Sequence, residues 1–157
     1  MSSFRRGTRL GIDVGKARIG VARCDPDGML AVPVETVARN DASIARLAAL
    51  VQEYEPIELV IGLPINMRGE DTESTADSRR FARELVQATK VPALLVDERL
   101  STVTAHAALR ASGRSQRGSR GIVDQIAAVV LLQHAIDTEK RTGCPAGARV
   151  ELDEETA

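Results

Sequence analysis

Arg9-Leu10-Gly11-Ile12-Asp13-Val14-Gly15-Lys16-Ala17-Arg18-Ile19-Gly20-Val21-Ala22-Arg23 reads as two strands, residues 9–14 and 18–23, joined through Gly15. A third strand, residues 32–38, follows the Asp25-Pro26-Asp27-Gly28 turn, so the chain opens as a three-stranded meander. Within the first strand Asp13 is the exception, a carboxylate set among apolar residues. Burying it uncompensated costs several kcal/mol.

Working outward, Asp41 is placed to cap a helix whose apolar residues Ile44, Leu47, Ala48 and Val51 fall at i, i+3, i+4 and i+7. That helix ends at Glu55-Pro56. Residues 58–62 form a short buried strand stopped by Gly62-Leu63-Pro64, because Pro64 has no N–H for a sheet ladder. A polar loop runs through Asp71 to a helix at 74–90 that buries Phe81, Ala82, Leu85 and Val86, and residues 93–96 make a fifth strand. Two helices are expected beyond it, 102–111 and 121–139, separated by a Gly/Ser/Arg loop at 112–120. In the second, Ile122, Val123, Ile126, Val129, Val130, Leu132 and Ile136 cannot share one face, so it should pack on the sheet with little exposure.

The order βββαβαβ followed by helices is an α/β fold, with a five-stranded mixed sheet and helices on both faces. One domain is expected over 9–140, preceded by a flexible polar leader at 1–8 and followed by a disordered acidic tail at 141–157. At 157 residues the chain has the length of one core.

Composition narrows the function. Aromatic residues make up 2% of the chain, and Phe4, Tyr54 and Phe81 are too few and too scattered to form a stacking platform for single-stranded nucleic acid. The net charge of -1 conceals two opposed blocks: Arg110, Arg114, Arg117 and Arg120 stand in an acid-free stretch, and Glu151, Asp153, Glu154 and Glu155 crowd the C-terminus. Cys24 and Cys144 lack the paired spacing of a zinc site or a secreted disulfide framework, which fits a reducing cytoplasm. No stretch has the apolar length of a membrane span, and the N-terminus lacks the apolar region of a signal peptide.

Three acids stand where chemistry is expected. Asp13 needs a cation, and pairing with Arg18 or capping a nearby loop is the alternative. Glu98 directly follows the fifth strand, at the carboxyl end where α/β sheets place ligands. It is preferred to Asp97 because Leu94 and Val96 put it in phase with their face. Pairing with Arg99, or capping the next helix, is its alternative. Asp124 lies in the first turn of the last helix, with Ala127, Ala128 and Leu131 as its i+3, i+4 and i+7 neighbours. A capping or dipole role there is the alternative.

Combined, the three acids are more telling. Two carboxylates about 4 Å apart repel by roughly 4 kcal/mol at an effective dielectric near 20, so a cluster of three calls for a divalent ion. All-oxygen donors select hard ions such as Mg²⁺ or Mn²⁺, and paired ions of this kind suit in-line phosphodiester cleavage. The segment from Gly11 to Ala17 is one residue short of a P-loop and has Ala17 where the metal-binding Ser or Thr belongs. His106 and His134 lack the spacing of a metal or nucleophile motif, and read as surface or packing residues.

Gly11-Ile12-Asp13-Val14-Gly15 with Arg18-Ile19-Gly20-Val21-Ala22, Val60-Ile61-Gly62-Leu63-Pro64, Asp97-Glu98-Arg99-Leu100-Ser101-Thr102-Val103-Thr104-Ala105, and Val123-Asp124 with Ala127-Ala128 and Leu132-Gln133 closely resemble the YqgF family, also called RuvX. The resemblance covers about residues 9 to 137. It implies a ribonuclease H-like fold related to the RuvC resolvases, with Asp13, Glu98 and Asp124 at the family's acidic positions. It further implies a nuclease acting at the 5′ end of precursor 16S rRNA, or, by the earlier description, a Holliday junction resolvase acting on branched DNA. Cys24 stands where the family pattern has serine, and Ala127 leaves no second acid one turn beyond Asp124.

The expected catalytic and metal-binding residues are therefore Asp13, Glu98 and Asp124, with Mg²⁺ or Mn²⁺. Arg99, Arg110, Arg114, Arg117 and Arg120 are the expected nucleic-acid contacts, in a monomer or homodimer. Two rivals stand beside this reading. An actin-like or sugar-kinase fold also opens on an Asp-x-Gly strand but needs two such lobes. A non-catalytic RNA-binding assembly factor would bind RNA without metal-dependent turnover.

Overall fold

The computed structural model describes residues 4–98 and 120–152, with residues 120–122 described by their backbone. The helix expected at 102–111 lies outside the described residues, as do Arg99, Arg110, Arg114 and Arg117 and the side chain of Arg120.

Strands β1 (Arg9–Val14), β2 (Arg18–Cys24) and β3 (Ala31–Ala38) form the expected meander, followed by helix α1 (Ser43–Tyr54), strand β4 (Glu58–Leu63), helix α2 (Glu73–Thr89), strand β5 (Ala93–Asp97) and helix α3 (Arg120–Thr142). The sheet has six strands rather than the expected five. Residues 148 and 149, assigned from sequence to the tail, form β6 (Ala148–Arg149) against β5, with Leu94 opposite Arg149 and Leu95 opposite Ala148. Nothing in the composition of this short segment marks it as a strand; only the open edge of β5 makes it one. The strand order is β3-β2-β1-β4-β5-β6. β1, β4 and β5 are parallel, while the meander and the β5–β6 pair are antiparallel.

Helices cover both faces. Leu10, Ile12 and Val14 of β1 point into a core shared with Leu47, Leu50 and Val51 of α1 and with Phe81, Ala82 and Leu85 of α2. On the other face Val60, Leu94 and Val96 meet Ala128, Leu131, Leu132, Ala135 and Ile136 of α3. β4 is buried at every position, as expected for a parallel strand sandwiched between helical layers. β3 is an edge strand, which accommodates Pro33 next to a bulge in the β2–β3 pairing.

Local caps differ from the sequence reading. Asp41 does not cap α1: its N-cap is Ala42, without a side-chain hydrogen bond. The turn is held instead by the Ser43 hydroxyl, which donates to the Ala38 carbonyl at 2.7 Å and accepts from the Asn40 N–H at 2.7 Å. α2 starts in a capping box between Thr72 and Thr75.

The leader expected to be flexible is fastened from Phe4 onward. The Arg5 guanidinium donates to Glu58 at 3.1 and 2.9 Å and also binds Glu139, which in turn accepts from Arg9 at 3.0 Å. Arg9, Glu58 and Glu139 are nearly inaccessible to solvent, at 2%, 1% and 3% exposure. The Phe4 ring lies 4.4 Å from the Arg9 guanidinium. Two cations and two anions thus neutralise one another where β1 and β4 begin and α3 ends. Burial by itself would raise Glu139, but the hydrogen bonds from Arg5 hold it below the ordinary carboxylate range.

Removing one member leaves a buried charge uncompensated. Arg9→Met should therefore cost about 3 to 5 kcal/mol in urea unfolding. Arg6→Ala, which removes an exposed pair with Asp27, should cost less than about 1 kcal/mol.

Candidate active site

Side chains alternate along β1, so Asp13 shares the face of Gly11, turned toward α3, while its neighbours Ile12 and Val14 face α1 and α2. Glu98 leaves β5 in phase with Leu94 and Val96, on that same α3 face, and its N–H bonds the Leu63 carbonyl at 3.3 Å. Asp124 sits near the start of α3. The alternation argument that preferred Glu98 to Asp97 thus corresponds to the observed faces.

Two glycines make room for this convergence. Gly20 lies opposite Asp13 in the β1–β2 ladder, and a Cβ there would collide with the Asp124 carbonyl. Only a residue without a side chain lets the first turn of α3 settle onto β2. Gly62 plays a similar part on β4: a Cβ would run into the Glu98 carboxylate and crowd Leu131 at 3.3 Å. Both belong to motifs legible in the sequence, but their role as space for the acids appears only in three dimensions.

The electrostatics bind two of the acids as a pair. Asp13 and Glu98 are hydrogen-bonded to each other through their side chains. Burial raises Glu98 most, the charge of Asp13 and the shared hydrogen bond add to it, and Asp97 contributes further, so that Glu98 is pushed up to about 9. Burial also raises Asp13; the hydrogen bond from Glu98 works against this, and the charge of Asp124 adds to it. Both carboxyls are thus pushed toward their protonated forms, and the pair favours one shared proton over two full charges. Neither acid is in an ion pair among the described residues.

Asp124 is held differently. Its Oδ2 accepts from Arg18 Nε at 2.7 Å in a partly exposed pair. Arg18, the alternative partner for Asp13, bonds Asp124 instead. Among the described residues no three His, Cys, Asp or Glu side chains are arranged to hold one ion. The expected trio is thus present as a proton-sharing pair and a neighbouring acid that engages an arginine, close enough for its charge to act on Asp13. Gln125, next to Asp124, donates to the Thr36 hydroxyl at 2.9 Å and ties this turn to β3.

Of the other residues singled out, His134 is exposed on α3, and His106 lies outside the described residues. Cys24 is buried, its sulfur accepting from the Arg9 N–H at 3.3 Å, which gives it a packing role. Arg18 is a site residue that sequence reasoning named only as an alternative partner for Asp13, not as the partner of Asp124. Its strand position was legible, but the approach of α3 that decides its contact was not. No helix among the described residues is long and apolar enough to cross a membrane.

Comparison with known proteins agrees with this arrangement. The family model RuvX, described as a Holliday junction resolvase, matches residues 7–138. A protein of Clavibacter michiganensis is 54% identical over 150 residues, covering 94% of this chain and 93% of its own length. One of Streptomyces coelicolor is 53% identical over 152 residues, covering 95% and 91%. Both carry the name "Putative pre-16S rRNA nuclease". Among solved structures, T. thermophilus RuvC in complex with a Holliday junction substrate matches with a TM-score of 0.57 at 16% identity, over 89% of this chain and 98% of that one. At that identity the likeness is one of fold, and it supports the ribonuclease H-like arrangement expected from the sequence. Motifs, strand order and relatives agree that the chain belongs to the RuvX family.

Proposed function

We propose that this protein is a metal-dependent nuclease that hydrolyses phosphodiester bonds in structured nucleic acid, with the 5′ end of precursor 16S rRNA as its substrate. The observation that carries the reading is the half-buried Asp13–Glu98 pair at the carboxyl ends of parallel strands, beside Asp124. Ligands in open α/β sheets bind at such strand ends. The choice of rRNA rests on the names of the relatives. Branched DNA is the second reading, favoured by the RuvC likeness and the family description.

The donor set fits a hard cation. Its side chains are half-buried, the pair favours a shared proton that a divalent ion would displace, and no described arginine or lysine neutralises it. Asp13 and Glu98 would hold Mg²⁺ or Mn²⁺, and Asp124 would join them by exchanging its contact with Arg18. When bound, such an ion lowers the barrier by favouring deprotonation of water and by stabilising charge on phosphate oxygens. The protein's own part is to hold both carboxylates in place, Glu98 in the slot left by Gly62 and Asp13 on a central strand. Arg18, once released from Asp124, is a cation at the rim of the site that is free to meet a phosphate.

Two measurements test this. Metal-dependent cleavage of a 16S precursor and of a four-way DNA junction should be compared for the native protein, Asp13→Asn and Glu98→Gln. A loss of at least about a hundredfold is expected for either variant. Unchanged RNA affinity with no turnover in any form would instead identify a non-catalytic RNA-binding factor.

The second follows from the direction of the Glu98 shift. Folding favours protonated Glu98, so in chelator this group's contribution to stability is full below its ordinary value of 4.5 and is lost as pH rises toward about 9. The melting temperature of chelated protein should fall across that window, and Glu98→Gln should flatten the fall. Added Mg²⁺ should raise Tm most at the alkaline end, where it replaces a proton already being lost. A pH-independent Tm that ignores Mg²⁺ would remove the metal site.

A further inference from the structure

A cleft of about 570 Å³ opens beside the turn that follows Asp13. It is lined by Lys16 from the β1–β2 turn, by Arg39 just after β3, and by Glu73, Ala76, Asp77 and Arg80 along the first half of α2. Its inner wall is fixed. Arg39 donates to both carboxylate oxygens of Asp77 at 3.0 and 2.9 Å and to the Gly15 carbonyl at 2.9 Å, and it lies 4.7 Å from the centre of the Phe81 ring. That bidentate contact holds Asp77 below the ordinary carboxylate range, with burial opposing the shift and Arg80 and Lys16 adding to it.

Once Arg39 and Asp77 are set against each other, the lining keeps two cations, Lys16 and Arg80, against one acid, Glu73. Lys16 and Arg80 are exposed, and neither is in an ion pair among the described residues. Structural cations in this protein look different: Arg5, Arg9, Arg18, Arg39 and Arg46 all bond a carboxylate. Beyond the action of their charge on Asp77, Lys16 and Arg80 have no ion-pair partner among the described residues.

We propose that this cleft is a second nucleic-acid contact, in which Lys16 and Arg80 hold backbone phosphates of the strand flanking the scissile bond. The proposal rests on the nuclease reading above. Continuity carries it: the turn that presents Lys16 begins two residues after Asp13, and Arg39 clamps its Gly15 carbonyl, so the cleft on the α2 side and the acid pair on the α3 side meet at this one turn at the carboxyl end of β1. A polynucleotide whose scissile phosphate lies at Asp13 and Glu98 has neighbouring phosphates to place, and the cleft offers them uncommitted charge. The lining residues include no aromatic side chain, and the nearby Phe81 is buried beneath Arg39. The contact is therefore with phosphate rather than base, and it is blind to sequence. This site differs from the arginines at 99–120 expected from sequence.

The test compares three proteins, each carrying Asp13→Asn to prevent cleavage, in Mg²⁺: the parent, one with Lys16→Ala and Arg80→Ala, and a charge-matched control with Arg6→Ala and Arg141→Ala. Thermal melts verify that all three fold. Fluorescence anisotropy is read with a labelled single-stranded 5′ fragment of precursor 16S rRNA and with an unrelated RNA of equal length. Lys16→Ala with Arg80→Ala should weaken both RNAs about tenfold and make the log-log salt dependence shallower by about 1.4, as expected for two lost contacts to a single strand. The control should stay within about twofold of the parent. Unchanged affinity and slope in the cleft variant, an equal loss in the control, or a loss confined to one sequence would overturn the cleft while leaving the nuclease reading intact. A parent that binds neither RNA nor a four-way DNA junction would overturn the nuclease reading itself.

Discussion

The close seating of helix α3 on the sheet governs this molecule. Where the helix crosses β2, β1 and β4, the sheet presents Gly20, Gly11 and Gly62, and a methyl at Gly20 or Gly11 would strike the α3 backbone or the base of Leu132. Backbone approaching backbone at such range excludes water along the contact and brings Ala128, Leu131 and Leu132 into the layer formed by Val60, Leu94 and Val96. The same approach lowers Asp124 toward Asp13 and leaves Gly62 as the slot for Glu98. Packing and chemistry depend on one constraint.

The two ends of α3 handle charge in opposite ways. At its C-terminal end Glu139 is buried, yet Arg5 and Arg9 answer it, so that end is electrostatically closed and anchors the helix. Near its start, among the described residues, Arg18 engages Asp124, while Asp13 and Glu98 are in no ion pair and favour a shared proton. Desolvation disfavours the ionised form of such a pair, so what it contributes to stability is lost as pH rises. Its persistence at the mouth of a parallel sheet is understandable if a cation belongs there, and that asymmetry underlies the functional reading.

Beyond the acid pair the surface charge falls into the same two kinds. Arg39 is locked by Asp77 and by the Gly15 carbonyl, which stiffens the turn carrying Lys16. Lys16 and Arg80 are left uncommitted around it. Among the described residues the cations around this cleft come from separated parts of the chain, a clustering that a net charge of -1 does not show.

Period-two and period-3.6 patterns determined by themselves that β1 to β5 and helices α1 to α3 would form, because alternation and helical spacing record which face each residue must bury. Asp13 was conspicuous for the same reason, as a charge on a buried strand, and Glu98 could be chosen over Asp97 by phase. Local pattern could not reveal β6, since Ala148 and Arg149 become a strand only by finding the unpaired edge of β5. Nor could it show that Phe4 to Thr8 is pinned, because Glu58 and Glu139 lie 53 and 134 residues from the arginine that binds them. The pairing of Arg18 with Asp124 across 106 residues, and of Asp13 with Glu98, likewise arose only when α3 and β5 were laid against β1. Sequence fixes what each segment must bury; which distant charges then meet depends on packing geometry, and no local periodicity encodes it.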